Sequence, residues 1–173
     1  DNYDPVVDTF DEIAEFLTNS GTYDEELNTY YLDQYIEEGA DNSYISFDYF
    51  PDYDTLSIYT STYIADNDCY LDSSFRVVRG DMTFKLCTTM YSGDITLYSS
   101  TSKGNVVEIT DEYDIIIELE YEEFSSDYGL TIEYLDESLK MLAAVSIVTM
   151  QEFINYDVVG LAFDLVYDLQ SLL

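Results

Sequence analysis

Two stretches decide the fold of this chain: Tyr44-Ile-Ser-Phe-Asp-Tyr-Phe50 and Leu56-Ser-Ile-Tyr-Thr-Ser-Thr-Tyr-Ile64. Both alternate apolar with polar residues, and a period of two sends successive side chains to opposite faces of a sheet. Aliphatic residues and Phe mark an inner face; Tyr, Ser, Thr and Asp mark the other. Working outward, the same texture runs from Tyr30 to Tyr121, broken by short turn-forming clusters.

Residues 24–38 admit a helix through Leu27, Tyr31 and Tyr35. Their tyrosine density and the Gly39-Ala-Asp-Asn42 turn favour a strand, paired with one starting at Ser43. Pro51-Asp-Tyr-Asp54 and Asp66-Asn-Asp68 read as turns, the second leading to a strand Ser74-Phe-Arg-Val-Val78. Gly80-Asp81 reads as a tight hairpin into Met82-Thr-Phe-Lys-Leu-Cys87. Ser92-Gly93 and Ser102-Lys-Gly104 are expected to be turns around Asp94-Ile-Thr-Leu-Tyr98. Val106 to Ile109 and Tyr113 to Tyr121 follow as the last strands, with Ile115, Ile117 and Leu119 inward.

Helical spacing frames this region. Asp4-Pro5 is a helix start, and Val6, Phe10, Ile13 and Leu17 form one stripe. After Gly129 the period lengthens: Ile132, Leu135, Leu139, Leu142, Ser146, Met150 and Phe153 recur every three or four residues. The uncharged run Ala143 to Met150 is expected to be buried nearly all round. Asp157 caps a last helix with Val158, Leu161, Leu165 and Leu169 inward. The expected fold is a two-layer α+β domain spanning 1–173. An antiparallel β-meander of six to eight strands is covered on one face by an N-terminal helix, 5–18, and two C-terminal helices, 132–155 and 158–171.

Composition narrows the chemistry. Thirty-seven acids face five cations for a net charge of −32, so most carboxylates have no cation to pair with. Such a surface repels nucleic acid and anionic membranes and favours a basic protein partner or bound cations. The charge is uneven: residues 1–41 hold 13 acids and 108–137 hold 12, neither with a cation. If these blocks meet, the molecule has an acidic pole; a solvated, solubilising surface is the plainer reading. No apolar run is long enough to cross a membrane, so no membrane insertion is expected. The chain begins at Asp1, which reads as a processed or trimmed form with no visible signal peptide.

No histidine is present, which removes the usual general base and the common zinc ligand. No Gly-rich phosphate loop appears, so no cofactor and no metal centre is expected, and the chain reads as non-enzymatic. Ser100-Thr-Ser-Lys103 matches a Ser-x-x-Lys pattern, but in a strand context without its companion motifs. Asp66, Asp68 and Asp72 alternate as calcium ligands do; weak calcium binding is one reading and an Asp-rich turn the other, since Leu71 and Val77 break the EF-hand pattern. Arg79-Gly-Asp81 spells an adhesive tripeptide, yet Gly-Asp is also ordinary turn chemistry. Cys69 and Cys87 allow one disulfide or two thiols; the hairpin register sets Cys87 opposite Ser74 rather than Cys69.

The 19 tyrosines are the strongest functional signal. Tyr31, Tyr35, Tyr44, Tyr59, Tyr63 and Tyr98 fall on the parity opposite the core, interleaved with Ser46, Ser57, Ser61 and Thr96. Tyr with Ser makes adaptable binding surfaces, because Tyr offers contact area at low entropic cost. Asp8, Asp11, Glu12 and Glu15 on the first helix are the acidic alternative. In style, an acidic Tyr-, Ser- and Asp-rich helix–meander–helix chain resembles small secreted or lipoprotein domains of anaerobic bacteria. That resemblance implies an interaction module, secreted or in the cell envelope. In size and acidity the chain also resembles DNA-mimic inhibitors of the anti-restriction or anti-CRISPR type, which would block a nucleic-acid-binding protein without touching nucleic acid.

Overall fold

The computed structural model describes residues 5–79, 83–112 and 114–172, with only the backbone of residues 5–8. Helix α1, Pro5–Ser20, precedes eight strands: β1 Thr22–Asp24, β2 Thr29–Glu38, β3 Asp41–Phe50, β4 Thr55–Ile64, β5 Cys69–Val78, β6 Thr83–Ser92, β7 Ile95–Ile109 and β8 Ile115–Ser125. Helices α2, Ile132–Glu152, and α3, Val158–Gln170, complete the chain. The strands form one antiparallel sheet in chain order, as the alternating pattern predicts. Two of the hairpins close alike: a 3-10 turn over Pro51–Tyr53 ends at Asp54, and one over Ala65–Asn67 ends at Asp68. Both aspartates are left-handed, at φ 48° and 46°, a conformation that Asp tolerates better than most residues.

All three helices lie on one side. α1 and α3 pack against β2 and β3, α2 packs against β8, and α2 touches both other helices. In a flat sheet β2 and β8 would stand about 29 Å apart, at about 4.8 Å per strand. Packed helices sit only about 8–10 Å apart, so the sheet curls its two ends toward the helix layer. This brings α1, from the first acidic block, onto α2, whose first turn belongs to the second.

The core fills the concave face. Phe10, Ile13 and Leu17 of α1 are buried with Phe47, Leu56, Phe75 and Leu86 of the sheet and Leu139, Leu142, Ile147 and Phe153 of α2 and its following turn. Phe153 lies 4.2 Å from Phe47, ring centroid to centroid, and 5.7 Å from Phe16. A band of hydroxyls also crosses the buried face: Thr60, Ser73, Thr88 and Ser100 are successive cross-strand partners. Thr88 and Ser100 bond at 2.8 Å, while the Thr60 hydroxyl has no hydrogen-bond partner among the described residues.

Four expectations need correcting. Ser102-Lys-Gly104 is no turn: β7 runs straight through it, with Lys103 opposite Lys85 and Gly104 opposite Phe84. The glycine is there for closeness, since a Cβ would fall 2.3 Å from the Phe84 ring. Val106 to Ile109 is therefore the end of β7, not a separate strand. β5 begins at Cys69 rather than Ser74. Finally, the uncharged run of α2 is two-sided: Ala143, Ser146 and Ile147 are buried, but Val148 is 44 % exposed and Ala144 and Val145 partly so. The Gly80-Asp81 tip, Met82, the Asp4 cap, Tyr113 and the Val6 side chain lie outside the described residues.

Candidate functional site

Among the described residues no helix packs on the convex face of the sheet, and its side chains form rows fixed by strand register. One row runs Tyr35, Tyr44, Ser61, Asp72, Thr89 and Ser99 across β2 to β7. The next crosses Tyr63, Tyr70 and Tyr91. Rings along these rows touch: Tyr35 and Tyr44 at 4.9 Å, Tyr63 and Tyr70 at 4.9 Å, and Tyr70 and Tyr91 stacked at 5.2 Å. Tyr59 comes within 6.2 Å of Tyr44. Cross-strand aromatic pairs stabilise a sheet and hold the rings in place.

Hydroxyls of this face are tied to carboxylates. Tyr44 donates to Asp33 at 2.8 Å, Tyr63 to Asp68 at 3.0 Å, and Ser61 to Asp72 at 2.7 Å. Burial first, and then the bond to Asp33, push the Tyr44 phenol up to about 12. The bond to Asp68 raises Tyr63 in the same way. These phenols stay neutral and donate throughout the physiological range.

Tyr31, Tyr44 and Tyr59 converge on a shallow concavity of about 530 Å³ that also takes in Asp33, Asp48 and Arg76. Asp48 is the chemical centre. It faces Ser57 on β4 and Tyr31 on β2 and accepts from Ser46 at 2.9 Å. Burial raises its carboxyl to about 6; Asp33 adds to the rise, while Ser46 and Arg76 oppose it. No cation is in salt-bridge contact with this half-dehydrated carboxylate among the described residues. Beside it, Arg76, Lys85 and Lys103 are successive cross-strand partners, so three of the five cations share one row. A β8 bulge lets Glu122 reach both lysines, at 3.0 Å from Lys103 and 3.6 Å from Lys85.

The tyrosines singled out from sequence divide. Tyr31, Tyr35, Tyr44, Tyr59 and Tyr63 lie on the open face. Tyr98 does not: it is buried on the core side, 2 % exposed, opposite Met90. The reason is a bulge. Tyr91 pairs with Thr96 and Met90 with Tyr98, so Leu97 is the extra residue and reverses the alternation. Its burial raises the Tyr98 phenol to about 12. Tyr70 and Tyr91 lie outside the strands expected from sequence, because β5 begins at Cys69 rather than Ser74 and β6 runs on past Cys87 to Ser92. Their signal was Tyr63 and Tyr70 flanking the Asp66–Asp68 turn symmetrically.

On α1, Asp11, Glu12 and Glu15 are exposed on the helix side of the molecule, far from the tyrosine rows in the layering; the Asp8 side chain lies outside the described residues. Asp11 and Asp54 both pair with Arg79, whose guanidinium stacks 4.7 Å above Phe10. Cys69 and Cys87 are free thiols on opposite faces of the sheet. Ser100 and Ser102 point into the core while Lys103 points outward, so the Ser-x-x-Lys pattern brings no serine to its lysine. Asp68 and Asp72 are held by Tyr63 and Ser61, and among the described residues no three carboxylates or thiols are grouped as metal ligands would be. Also among those residues, no helix is long and apolar enough to cross a membrane. No family model, curated protein or solved structure matches the chain.

Proposed function

We propose that the chain is a non-enzymatic binding module that docks a protein partner on the open face of its sheet. The tyrosine rows supply contact area, and the Asp48 concavity receives a basic side chain of the partner. The observation that carries this reading is Asp48 itself, a half-buried carboxylate among Tyr31, Tyr44 and Tyr59 with no salt bridge among the described residues. Holding it there costs the free protein stability, and a lysine or arginine entering from a partner offsets that cost. Phenol faces next to a carboxylate suit such a cation through cation–π attraction as well. Pre-set rings lose little entropy on docking, which favours affinity.

Capture of partners on the immobilised chain tests this reading. Tyr44→Ala, Tyr59→Ala and Asp48→Asn should each release the captured protein, and moderate salt should not. A complex abolished by salt and indifferent to all three substitutions would instead support the DNA-mimic reading, in which acids such as Asp11, Glu12 and Glu15 fill a basic groove. The cationic row Arg76–Lys85–Lys103 interrupts the acid on the sheet face, so a mimic would have to use the helix side.

A further inference from the structure

The exposed flank of α2 belongs to a second surface, on the other side of the sheet. Glu137, Met141, Val145, Val148 and Glu152 recur every three or four residues along it. They line a groove of about 890 Å³ between α2, α3 and the start of β8. Its floor is aliphatic: Ala144, Val145, Val148, and Leu161 from α3. Five acids ring it: Asp114, Glu137, Glu152, Asp164 and Asp168. None of the five is in an ion pair among the described residues, and the one cation of the lining, Lys140, is held by Asp136 at 2.8 Å. Dehydration and the nearby Asp164 raise the Asp168 carboxyl, as expected of carboxylates gathered beside an apolar floor without a counter-charge.

We infer that this groove is a docking site for a basic amphipathic helix of a protein partner. Complementarity identifies the occupant. The floor calls for apolar side chains and the rim for lysine or arginine on both flanks, and only a segment carrying both at helical spacing satisfies the two together. The stripe from Glu137 to Glu152 is about 22 Å long at about 1.5 Å per residue, which matches roughly four turns of helix. A strand added to the β8 edge fits less well. Only Ile115 to Ile117 of that strand, with Asp114 just before it, line the groove, and further along its edge carries Glu118, Glu120, Glu122 and Glu123. This inference is independent of the reading of the sheet face.

The probe is a synthetic helix of leucine, lysine and alanine with its leucines on one face, beside a scrambled peptide of the same composition. Fluorescence anisotropy should show the patterned peptide binding at least about tenfold tighter than the scrambled one, the worth of one or two buried anchors. Circular dichroism should show it gaining helix as it binds. Val148→Glu is the discriminating variant. Val148 is exposed enough to replace without unfolding, and the change adds a negative charge. A groove loses affinity by on the order of tenfold, whereas general attraction to an acidic surface is unchanged or strengthened. Asp164→Asn with Asp168→Asn should weaken binding at low salt and matter less at high salt. Equal binding of both peptides with Val148→Glu silent would overturn the proposal. So would a bound peptide that gains strand, or a dimer of the chain that Val148→Glu dissolves, since the occupant would then be a second copy.

Discussion

The open sheet face and the helix-side groove differ in almost every respect. The open sheet face is aromatic and hydroxylated, carries three of the five cations, and holds its side chains by register, stacking and hydrogen bonds. The helix-side groove is aliphatic, ringed by acids, and made by helices whose opposite flanks build the core. Net charge would assign both the same kind of partner. Placement does not: the first surface should bind by shape with one buried ion pair, the second by apolar anchoring with diffuse attraction.

The contrast between the flanks of α2 carries the largest expected effect. Leu142→Ala, on the buried flank, should cost about 2–5 kcal/mol in denaturant unfolding. Val148→Ala, six residues on, should cost under about 1 kcal/mol, because its side chain is 44 % exposed. Similar losses at both would mean the groove is closed and the second surface does not exist.

On the sheet side, Asp48 gives a pH signature. Its folded pKa of about 6 lies above the ordinary value, so the folded state holds the proton more tightly. Stability is thus greatest below the ordinary carboxylate range and declines as pH rises through about 6. Asp48→Asn should therefore unfold later than the parent at neutral pH, by about 1–3 kcal/mol, and equally at pH well below 4. A partner cation reverses the preference, so affinity on this face should rise as pH climbs through about 6. No pH dependence in that window would remove Asp48 from the centre of the site.

Gly104→Ala probes the support beneath the cationic row. A Cβ at this position meets the Phe84 ring, so the change should cost about 1–3 kcal/mol as that ring shifts. The smallest effect is expected from Glu12→Gln with Glu15→Gln on α1, within about 0.5 kcal/mol of the parent in stability and silent toward a sheet-face partner.

Where side-chain period speaks, it was legible in the chain. Alternation over Tyr44 to Ile64 foretold the meander, helical spacing from Pro5 and again after Gly129 foretold its three helices, and Leu139, Leu142, Ile147 and Phe153 are core as their spacing implies. Period is blind to a single inserted residue, which is how Leu97 carried Tyr98 to the wrong face. Glycine is ambiguous in the same way. Gly104 has turn composition, but its role is to clear space for Phe84 from the neighbouring strand. Nor does the lack of charge distinguish burial from a lined groove, so Val148 looked buried. Asp48 was invisible for a different reason. Its character comes from burial and from Asp33 and Arg76 on the neighbouring strand and the one beyond β4, a relation only register supplies.

Hydroxyl-radical footprinting tests the central claim most directly, because tyrosines report from both surfaces at once. Tyr35, Tyr59 and Tyr70 are exposed on the sheet face, and Tyr156 and Tyr167 line the groove. A captured protein partner should shield the first three and leave the last two reactive; a basic amphipathic peptide should do the reverse. Shielding of Tyr156 and Tyr167 by the partner, with Tyr35, Tyr59 and Tyr70 still fully reactive, would contradict the account.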